Sequence, residues 1–340
     1  MSVTPIESNV GTIVQGKQAS LGTKLAYNAA TLRRLRLRDG GLKPLKEIGY
    51  EPYVDGSTFP DPTPYVTRMG GEVGDITVQA QPETAGFLFA QLIGVDVVTG
   101  ASDPYTHTSS TGNLLGAYQT IYQEMGSSNK VSLQFWDALI SKGVWRVGQD
   151  QMVAHFTESI RAVQAGAWNA NSPTAADSGN DPFLWSEVTG AALIDAVAYG
   201  EISGETLEVD RKLDDFQGDD VRPCCFVPTA GEITRSVSTI VSNNTLPILK
   251  SALYNTASPA DGTAVSATIK HIALSTKFTR SASRSVQIDT GKVVVDLNDL
   301  DLSPNPEGGA KQLVLGGRCR PTGGTALTVI TKSGDATAWV

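Results

Sequence analysis

Charged residues are scarce in this sequence, and basic residues are the scarcer of the two signs. Asp, Glu, Lys and Arg make up 18% of the 340 residues, against about a quarter in typical globular proteins. The formal net charge is −8 and the pI is about 5.0, so the overall basic footprint of a nucleic-acid-binding protein is absent. A surface with so few charges is either rich in Ser, Thr, Asn and Gly or partly covered by copies of the same chain.

Cysteine and histidine are also rare, which limits metal and redox chemistry. Cys224 and Cys225 are adjacent and Cys319 is distant, which excludes a disulfide framework and a CxxC metal knuckle and is typical of a reducing cytoplasm. None of the three histidines has a second His or Cys at metal-ligand spacing. We expect His107 to lie in a loop and His271 to be a structural residue within a strand.

Long apolar runs and known catalytic motifs are absent. No apolar run approaches the length of a membrane span, and the N-terminal stretch lacks the basic start and apolar core of a signal peptide. Residues 16–24 lack the second Gly and the Lys of a phosphate loop, and the Gly-rich stretch 308–318 lies between strand patterns rather than before a helix. We therefore predict no enzymatic activity, no cofactor and no catalytic or metal-binding residue.

Alternation of apolar and polar residues is the main positive signal, and it predicts a mainly β protein. Glycines and asparagines separate the alternating runs, as turns between antiparallel strands require. The apolar positions of these runs are Ile76 and Val78; Val131, Leu133 and Phe135; Trp145 and Val147; Val286 and Ile288; Val293, Val295 and Leu297; and Leu313 and Leu315.

Two short helices are predicted with nearly the same pattern. Residues 82–93 begin with Pro82 in the first turn and end before Gly94, and residues 246–254 follow Thr245 as N-cap. A third helix is predicted over 114–125. The shared pattern of the first two is a Thr, an apolar pair and a Leu: Thr84, Phe87, Leu88 and Leu92 in one, and Thr245, Ile248, Leu249 and Leu253 in the other.

The similarity extends beyond the helices. A shift of 161 positions, from Thr84 to Thr245, also places Ile76 on Val237. We interpret this as a unit of strand, short helix and further strands that is used twice, in pseudo-duplicated halves at roughly 70–168 and 231–340 of a single domain over 1–340. The alternatives are a chance coincidence of two helix starts, or two separable domains.

The segment 39–72 combines many prolines with tyrosines. Prolines are excluded from central strands, while the aromatic residues argue against plain disorder. A long connection of this composition is typically functional. We predict an ordered arm that binds a neighbouring copy of the chain through Tyr50, Tyr53 and Tyr65.

Two clusters of opposite charge are further candidates for contacts between subunits. They comprise Arg33, Arg34, Arg36 and Arg38 on one side and Asp214, Asp215, Asp219 and Asp220 on the other. Alternation with Leu35 and Leu37 places several arginines on one face of a strand. The acidic run does not match the spacing of a calcium loop, so we expect a solvated turn. Because the net charge is −8, we favour ion pairs between the clusters of neighbouring subunits over arginine contacts with DNA.

Several stretches resemble the major tail tube proteins of long, non-contractile-tailed (siphovirus-type) bacteriophages. The C-terminal half carries "LPILKSALYN", "ADGTA", "RSVQID", "NPEGGA" and "ALTVITKSGDA". "GDITVQAQPETAGFLFAQLIG" is similar to the first-half helix of that family, and "SGETLEVDRKLDDFQGDDVRP" to its mid-chain strand and turn. The resemblance covers most of residues 70–340, and the segment 39–72 departs from it as a long insertion.

This resemblance implies a β-sandwich or half-barrel with short flanking helices and a long inter-ring loop. It further implies homohexameric rings whose sheets join side by side and which stack into the virion tail tube. The tube conducts the DNA genome without binding it specifically. Implied partners are other copies of the chain, the tape measure protein and the tail-end proteins, with no membrane contact, and assembly takes place in the host cytoplasm.

Two other classes stay open on the sequence alone. One is another phage structural protein, such as a baseplate or decoration component, because these reuse similar sheets. The other is a carbohydrate-binding or hydrolytic β-protein, which would need tryptophans and paired carboxylates in one cleft. The five tryptophans are spread along the chain and give no such signal.

Overall fold

The computed structural model describes most of the chain, and the described part is mainly β, as predicted. All paired strands are antiparallel. Within this part of the chain no helix is both long and apolar enough to cross a membrane. The described residues are 11–51, 62–112, 118–126, 130–167, 173, 175, 178–188, 192–297, 303 and 311–339.

The described residues form strands, two α-helices and the 3₁₀ turn Trp185–Glu187. In order they are β1 (Gly11–Lys17), β2 (Arg33–Leu35), β3 (Leu37–Gly40), β4 (Lys46–Glu51), β5 (Thr63–Met69), β6 (Gly71–Gln79), α1 (Pro82–Ile93), β7 (Gly94–Thr99), β8 (Tyr105–Thr111), β9 (Gln119–Met125), β10 (Val131–Gly148), β11 (Gln151–Ala167), β12 (Ala192–Ile194), β13 (Val197–Tyr199), β14 (Gly204–Asp210), β15 (Leu213–Gln217), β16 (Pro223–Pro228), β17 (Glu232–Ile240), α2 (Leu246–Tyr254), β18 (His271–Ser281), β19 (Arg284–Val294), β20 (Gln312–Arg318) and β21 (Thr328–Ser333).

The largest sheet curls into a half-barrel. Its path runs β2-β1-β9-β10-β11-β6-β3, and β14, β17 and β20 continue from β10. Strands β2 and β3 are separated in sequence by Arg36 alone, yet β2 pairs with β1 and β3 pairs with β6. This one segment therefore connects the two ends of the path, and side chains on the concave face are shut away from solvent.

A second sheet, with the order β13-β12-β18-β19-β21-β8-β7, packs with the large sheet around α1. Aromatic rings fill the space between them. The Phe89 ring of α1 lies 5.6 Å from that of Trp145 on β10, and the Trp145 ring lies 5.6 Å from that of Phe278 on β18. This arrangement is consistent with the predicted β-sandwich and half-barrel architecture.

Both short helices form over the predicted residues. Helix α1 has Pro82 in its first turn and ends at Gly94, whose φ of 104° favours glycine. Helix α2 follows Thr245 and ends at Asn255 in the left-handed conformation. Leu253 is only half-buried, although it holds the position in the shared pattern that the buried Leu92 holds in α1. The strands before the helices, Gly71–Gln79 and Glu232–Ile240, match at both ends under the shift of 161 positions; whether this reflects a duplication stays a prediction.

Three local predictions are wrong. Residues 119–125 form β9 rather than a helix, and residues 113–117 lie outside the described part. The periodicity misled because both faces of β9 are buried: Ile121 enters the main core, while Tyr122 packs with Val14 and Leu32. His107 lies in β8 rather than in a loop. Strand β19 ends at Val294, so the alternation at 295–297 continues past the strand.

Candidate assembly surfaces

The predicted arm is a two-stranded hairpin. Strands β4 and β5 pair only with each other among the described residues and form a sheet of their own. Most of their residues are exposed, and none is fully buried. Tyr50 is 61% and Tyr65 50% exposed, with Ile48 at 51% beside them, while Tyr53 lies outside the described residues. The hairpin therefore presents apolar side chains that this chain does not cover.

A glycine gives the hairpin its aromatic face. Gly49 pairs with Tyr65, and a Cβ added at Gly49 would come within 2.7 Å of the Tyr65 ring. The Tyr65 ring therefore lies flat over a backbone that carries no side chain of its own, an arrangement that covers a strand glycine with an aromatic residue.

The base of the hairpin is held to the body by charges and backbone bonds. Asp215 on β15 accepts a hydrogen bond from Arg161 on β11 at 2.9 Å and forms an ion pair with Arg68 on β5. The Met69 N–H donates to the Val221 carbonyl at 2.8 Å. Within this chain Asp215 helps to fix the arm, and its predicted contact with a neighbouring subunit stays a prediction.

The arginine cluster does not act as one face. Arg33 pairs with Asp335 at 2.9 Å and Arg36 with Asp181 at 3.7 Å. Arg38 lies 3.3 Å from the Nδ1 atom of His155. Arg34 is exposed and donates to the Thr12 hydroxyl at 3.3 Å. The segment is broken into β2 and β3, so its arginines reach different neighbours.

The acidic run is partly strand and partly turn. Asp214 and Asp215 lie in β15, which corrects the expectation of a turn throughout, while Asp219 and Asp220 follow the strand. Asp214, Asp219 and Asp220 are exposed, and Asp220 lies 3.6 Å from Arg222. Within one chain the acidic and basic clusters do not contact each other, so pairing across subunits stays a prediction.

Sequence reasoning missed a buried ion pair that links the two sheets. Arg235 on β17 and Glu205 on β14 are 2.9 Å apart, and both side chains are fully buried. Glu205 also accepts hydrogen bonds from Trp145 at 3.0 Å and Thr276 at 2.7 Å. Arg235 donates to the Leu274 and Ile288 carbonyls of the second sheet. Buried charges of this kind are tolerated only when fully paired and hydrogen-bonded.

Glu158 is a second buried carboxyl group, and it forms no ion pair among the described residues. Glu158 on β11 is buried in the half-barrel, where the Gln15 amide donates to it at 2.6 Å. Its other oxygen has no hydrogen-bond partner among the described residues. Burial raises the pKa of Glu158 to about 8, because removing a carboxylate from water disfavours its charged form. Glu158 is therefore neutral below that pH, in contrast to the ion-paired Glu205.

A third cluster of buried polar side chains joins β7 and β8 to the C-terminal segment. The rings of His107 and Trp339 stack at 3.6 Å, and His107 contacts Asp96 at 3.0 Å and the Asp335 carbonyl at 2.8 Å through its two ring nitrogens. These contacts hold the C-terminal segment against β7 and β8.

Arg211 covers the last turn of α1. Its guanidinium donates to the Gln91 and Ile140 carbonyls at 3.2 and 3.0 Å, which satisfies a carbonyl that the end of a helix leaves free. Burial lowers the pKa of Arg211 to about 10. Beside it lies a cavity of about 670 Å³, whose apolar lining includes Leu92 and Ile93 of α1, Val209 of β14 and Ile233 of β17.

The comparisons add no relative to this picture. No family model matches the sequence, and no curated protein sequence matches it.

Proposed function

We propose that this protein is the structural subunit of a phage tail tube, in which hexameric rings of the chain stack and conduct the DNA genome. The observation that carries the proposal is the β4–β5 hairpin, which is fixed at its base and exposes Ile48, Tyr50 and Tyr65 among polar side chains. The tail-tube resemblance supplies the ring and the tube. Under this proposal the protein acts in the virion tail, together with tape measure and tail-end proteins.

The hairpin has the properties of an arm that binds a neighbouring copy. An isolated two-stranded hairpin is only marginally stable in water, and this one exposes Ile48, Tyr50 and Tyr65. Exposed apolar groups clustered on one element are typical of protein interfaces, and Tyr is enriched among residues that dominate binding energy. The Arg68–Asp215–Arg161 cluster fixes the direction of the arm, which lowers the entropy cost of docking.

Edge strands offer a second route to assembly. Strand β7 ends the second sheet and pairs only with β8 among the described residues. It exposes Val95 and Val97, at 38% and 54%. An exposed apolar edge strand is a hazard for a protein that stays alone, whereas a ring of copies can pair or cover such edges.

The charge balance suits a channel for DNA. A net charge of −8 is repeated in every subunit, and phosphate binding requires lysine or arginine that neutralises it. A wall with an excess of carboxylates would let the genome pass without holding it.

Electron microscopy of the concentrated protein tests the proposal. We expect wild type to form tubes, while a triple variant, Ile48→Ser with Tyr50→Ser and Tyr65→Ser, stays folded by circular dichroism but does not elongate. Wild type that stays monomeric at every concentration contradicts the proposal. Rings without tubes favour a baseplate or decoration component, and normal tubes from the triple variant remove the arm from the assembly.

Charge reversal tests the predicted ion pairs separately. Arg34→Glu removes an exposed arginine of the cluster and should weaken assembly without changing thermal stability. High salt should weaken wild-type assembly in the same way. Asp335→Asn is the matched control, because it breaks the internal pair of Arg33 and should lower thermal stability instead. Unchanged assembly by Arg34→Glu would rule out its role between subunits.

A further inference from the structure

Two cysteines form an exposed dithiol on β16. Cys224 is exposed and Cys225 is half-exposed, and their Sγ atoms are 3.8 Å apart. Consecutive side chains of a regular strand point to opposite faces. The β15–β16 register shifts between the pairs Phe216–Cys225 and Gln217–Pro223, so Cys224 is the extra residue of a β-bulge. A bulge re-aims side chains locally, and here it brings the two thiols together.

The sulfur separation fits chelation better than a disulfide bond. A disulfide needs about 2.05 Å between sulfurs and about 4.4–6.8 Å between Cα atoms, while adjacent Cα atoms are about 3.8 Å apart. Two thiolates on one tetrahedral zinc at about 2.3 Å lie about 3.8 Å from each other, and two thiolates on a pyramidal arsenic(III) lie somewhat closer together. The Sγ atoms of Cys224 and Cys225 are 3.8 Å apart, so a small side-chain rotation lets both reach one such centre.

The surroundings define which centre would bind. Among the described residues no three His, Cys, Asp or Glu side chains group as a metal site, so a bare divalent cation would lack further protein ligands. A pocket of about 320 Å³ adjoins Cys224 and is lined by both apolar and charged side chains, which include Leu21, Val163, Pro223, Asp137, Asp219, Asp220 and Arg222. The pocket has room for an apolar substituent on the bound centre.

We propose that Cys224 and Cys225 form a bidentate site for a thiophilic centre that carries one apolar substituent, with monosubstituted trivalent arsenicals as the ligand class. In the reaction two S–H bonds and the arsenic–oxygen bond of an arylarsine oxide break, two arsenic–sulfur bonds form, and one water leaves. Arsenic stays trivalent, so no oxidant or reductant is needed. The aryl group would occupy the pocket beside Cys224.

Phenylarsine oxide and native mass spectrometry test this site on the full chain. We expect one adduct per chain that survives excess 2-mercaptoethanol and is removed by 2,3-dimercaptopropanol, because only a second chelating dithiol competes with a chelate. Cys224→Ser and Cys225→Ser should each abolish the stable adduct. Cys319→Ser is the matched control and should retain it, because Cys319 is buried.

Three outcomes would overturn the proposal. They are an adduct that the monothiol removes, an adduct that persists in either single serine variant, and an adduct lost with Cys319→Ser. Circular dichroism of each variant shows whether it is folded. If one serine variant fails to fold, Cys224→Ala and Cys225→Ala provide the same test without a hydroxyl group.

Discussion

The units β6–α1 and β17–α2 can be compared position by position. Ile76 and Val237 match under the shift of 161 positions, and each faces a buried glutamate on the partner strand: Ile76 faces Glu158, and Val237 faces Glu205. The two units differ two residues earlier on these strands. The second unit has Arg235 there, whereas the first has Gly74. Glu205 consequently has a buried cation and Glu158 does not.

The helices diverge in the same way. All residues of α1 except Glu83 are buried, whereas α2 buries only Ile248 and Leu249. Phe89 of α1 matches Lys250 of α2 under the same shift. The same strand–helix pattern therefore occurs once with its helix in the centre of the core and once with its helix at the edge of the core. The two cases differ at single positions such as Phe89 and Lys250.

Removing a ring from α1 should have the largest effect. Phe89 is 1% exposed, so Phe89→Ala is expected to lower the free energy of unfolding by about 3–5 kcal/mol. The matched change Lys250→Ala should stay within about 0.5 kcal/mol. Urea unfolding of both variants checks this, and similar losses in the two helices would refute the contrast.

Breaking the ion pair of the second unit should cost nearly as much. In Glu205→Gln the amide nitrogen replaces the oxygen that Arg235 and Thr276 contact, and Arg235 is left buried without a counter-charge. We expect a loss of about 3–5 kcal/mol in the free energy of unfolding. Glu208→Gln on the same strand is the control, because its pair with Lys142 is partly exposed and is worth about 0–1 kcal/mol.

The buried carboxyl group of Glu158 should make the free energy of unfolding depend on pH. The folded pKa of Glu158, about 8, lies above its ordinary value of 4.5. Between these values the folded chain holds a proton that the unfolded chain has lost, so stability falls as pH rises, by about 1.4 kcal/mol per pH unit. Glu158→Gln should remove this fall, and its advantage over wild type should grow from pH 5 to pH 8 in urea unfolding. A constant difference would show that Glu158 is charged in the folded state.

The helix ends should give the smallest effect. Gly94 has a φ of 104°, and Asn255 a φ of 58°. Gly94→Ala is expected to cost about 1–2 kcal/mol, because a side chain is strained there. Asn255→Gly should change stability by less than about 1 kcal/mol, because Asn already tolerates this conformation. Thermal unfolding of the two variants compares the caps directly.

The sequence predicted which residues form helices and strands better than it predicted which side chains are buried or paired. Pro82, Gly94 and the alternating runs are local signals, and they placed α1, α2 and several strands, including β6, β10, β19 and β20. The false helix over 114–125 arose because β9 is buried on both faces, which hides the period of two. The Glu205–Arg235 pair joins residues from different strands, and Leu253 has the same local pattern as Leu92. Nothing local distinguishes a core helix from a marginal one, so burial had to come from the structure.

For the candidate surfaces, composition marked the hairpin but not its attachment. Prolines and tyrosines indicated an ordered arm, and Tyr50 and Tyr65 are indeed exposed on it. The attachment depends on Arg68, Arg161 and Asp215, which come from three separate strands. The charge pattern alone therefore assigned Asp215 to a neighbouring subunit.

The contact between Arg33 and Asp335 has a consequence for biosynthesis. These residues are 302 positions apart, so at ribosomal rates of about 5–20 residues per second Asp335 is made roughly 15–60 seconds after Arg33. Until then α1 lacks the Trp339 ring, which packs so closely that a Cβ on Gly86 would come within 2.3 Å of it. We expect ribosome-stalled chains that end before Asp335 to be cleaved by protease at α1, and full-length chains to resist. A nascent chain would thus reach its mature form only once translation of this last segment is complete.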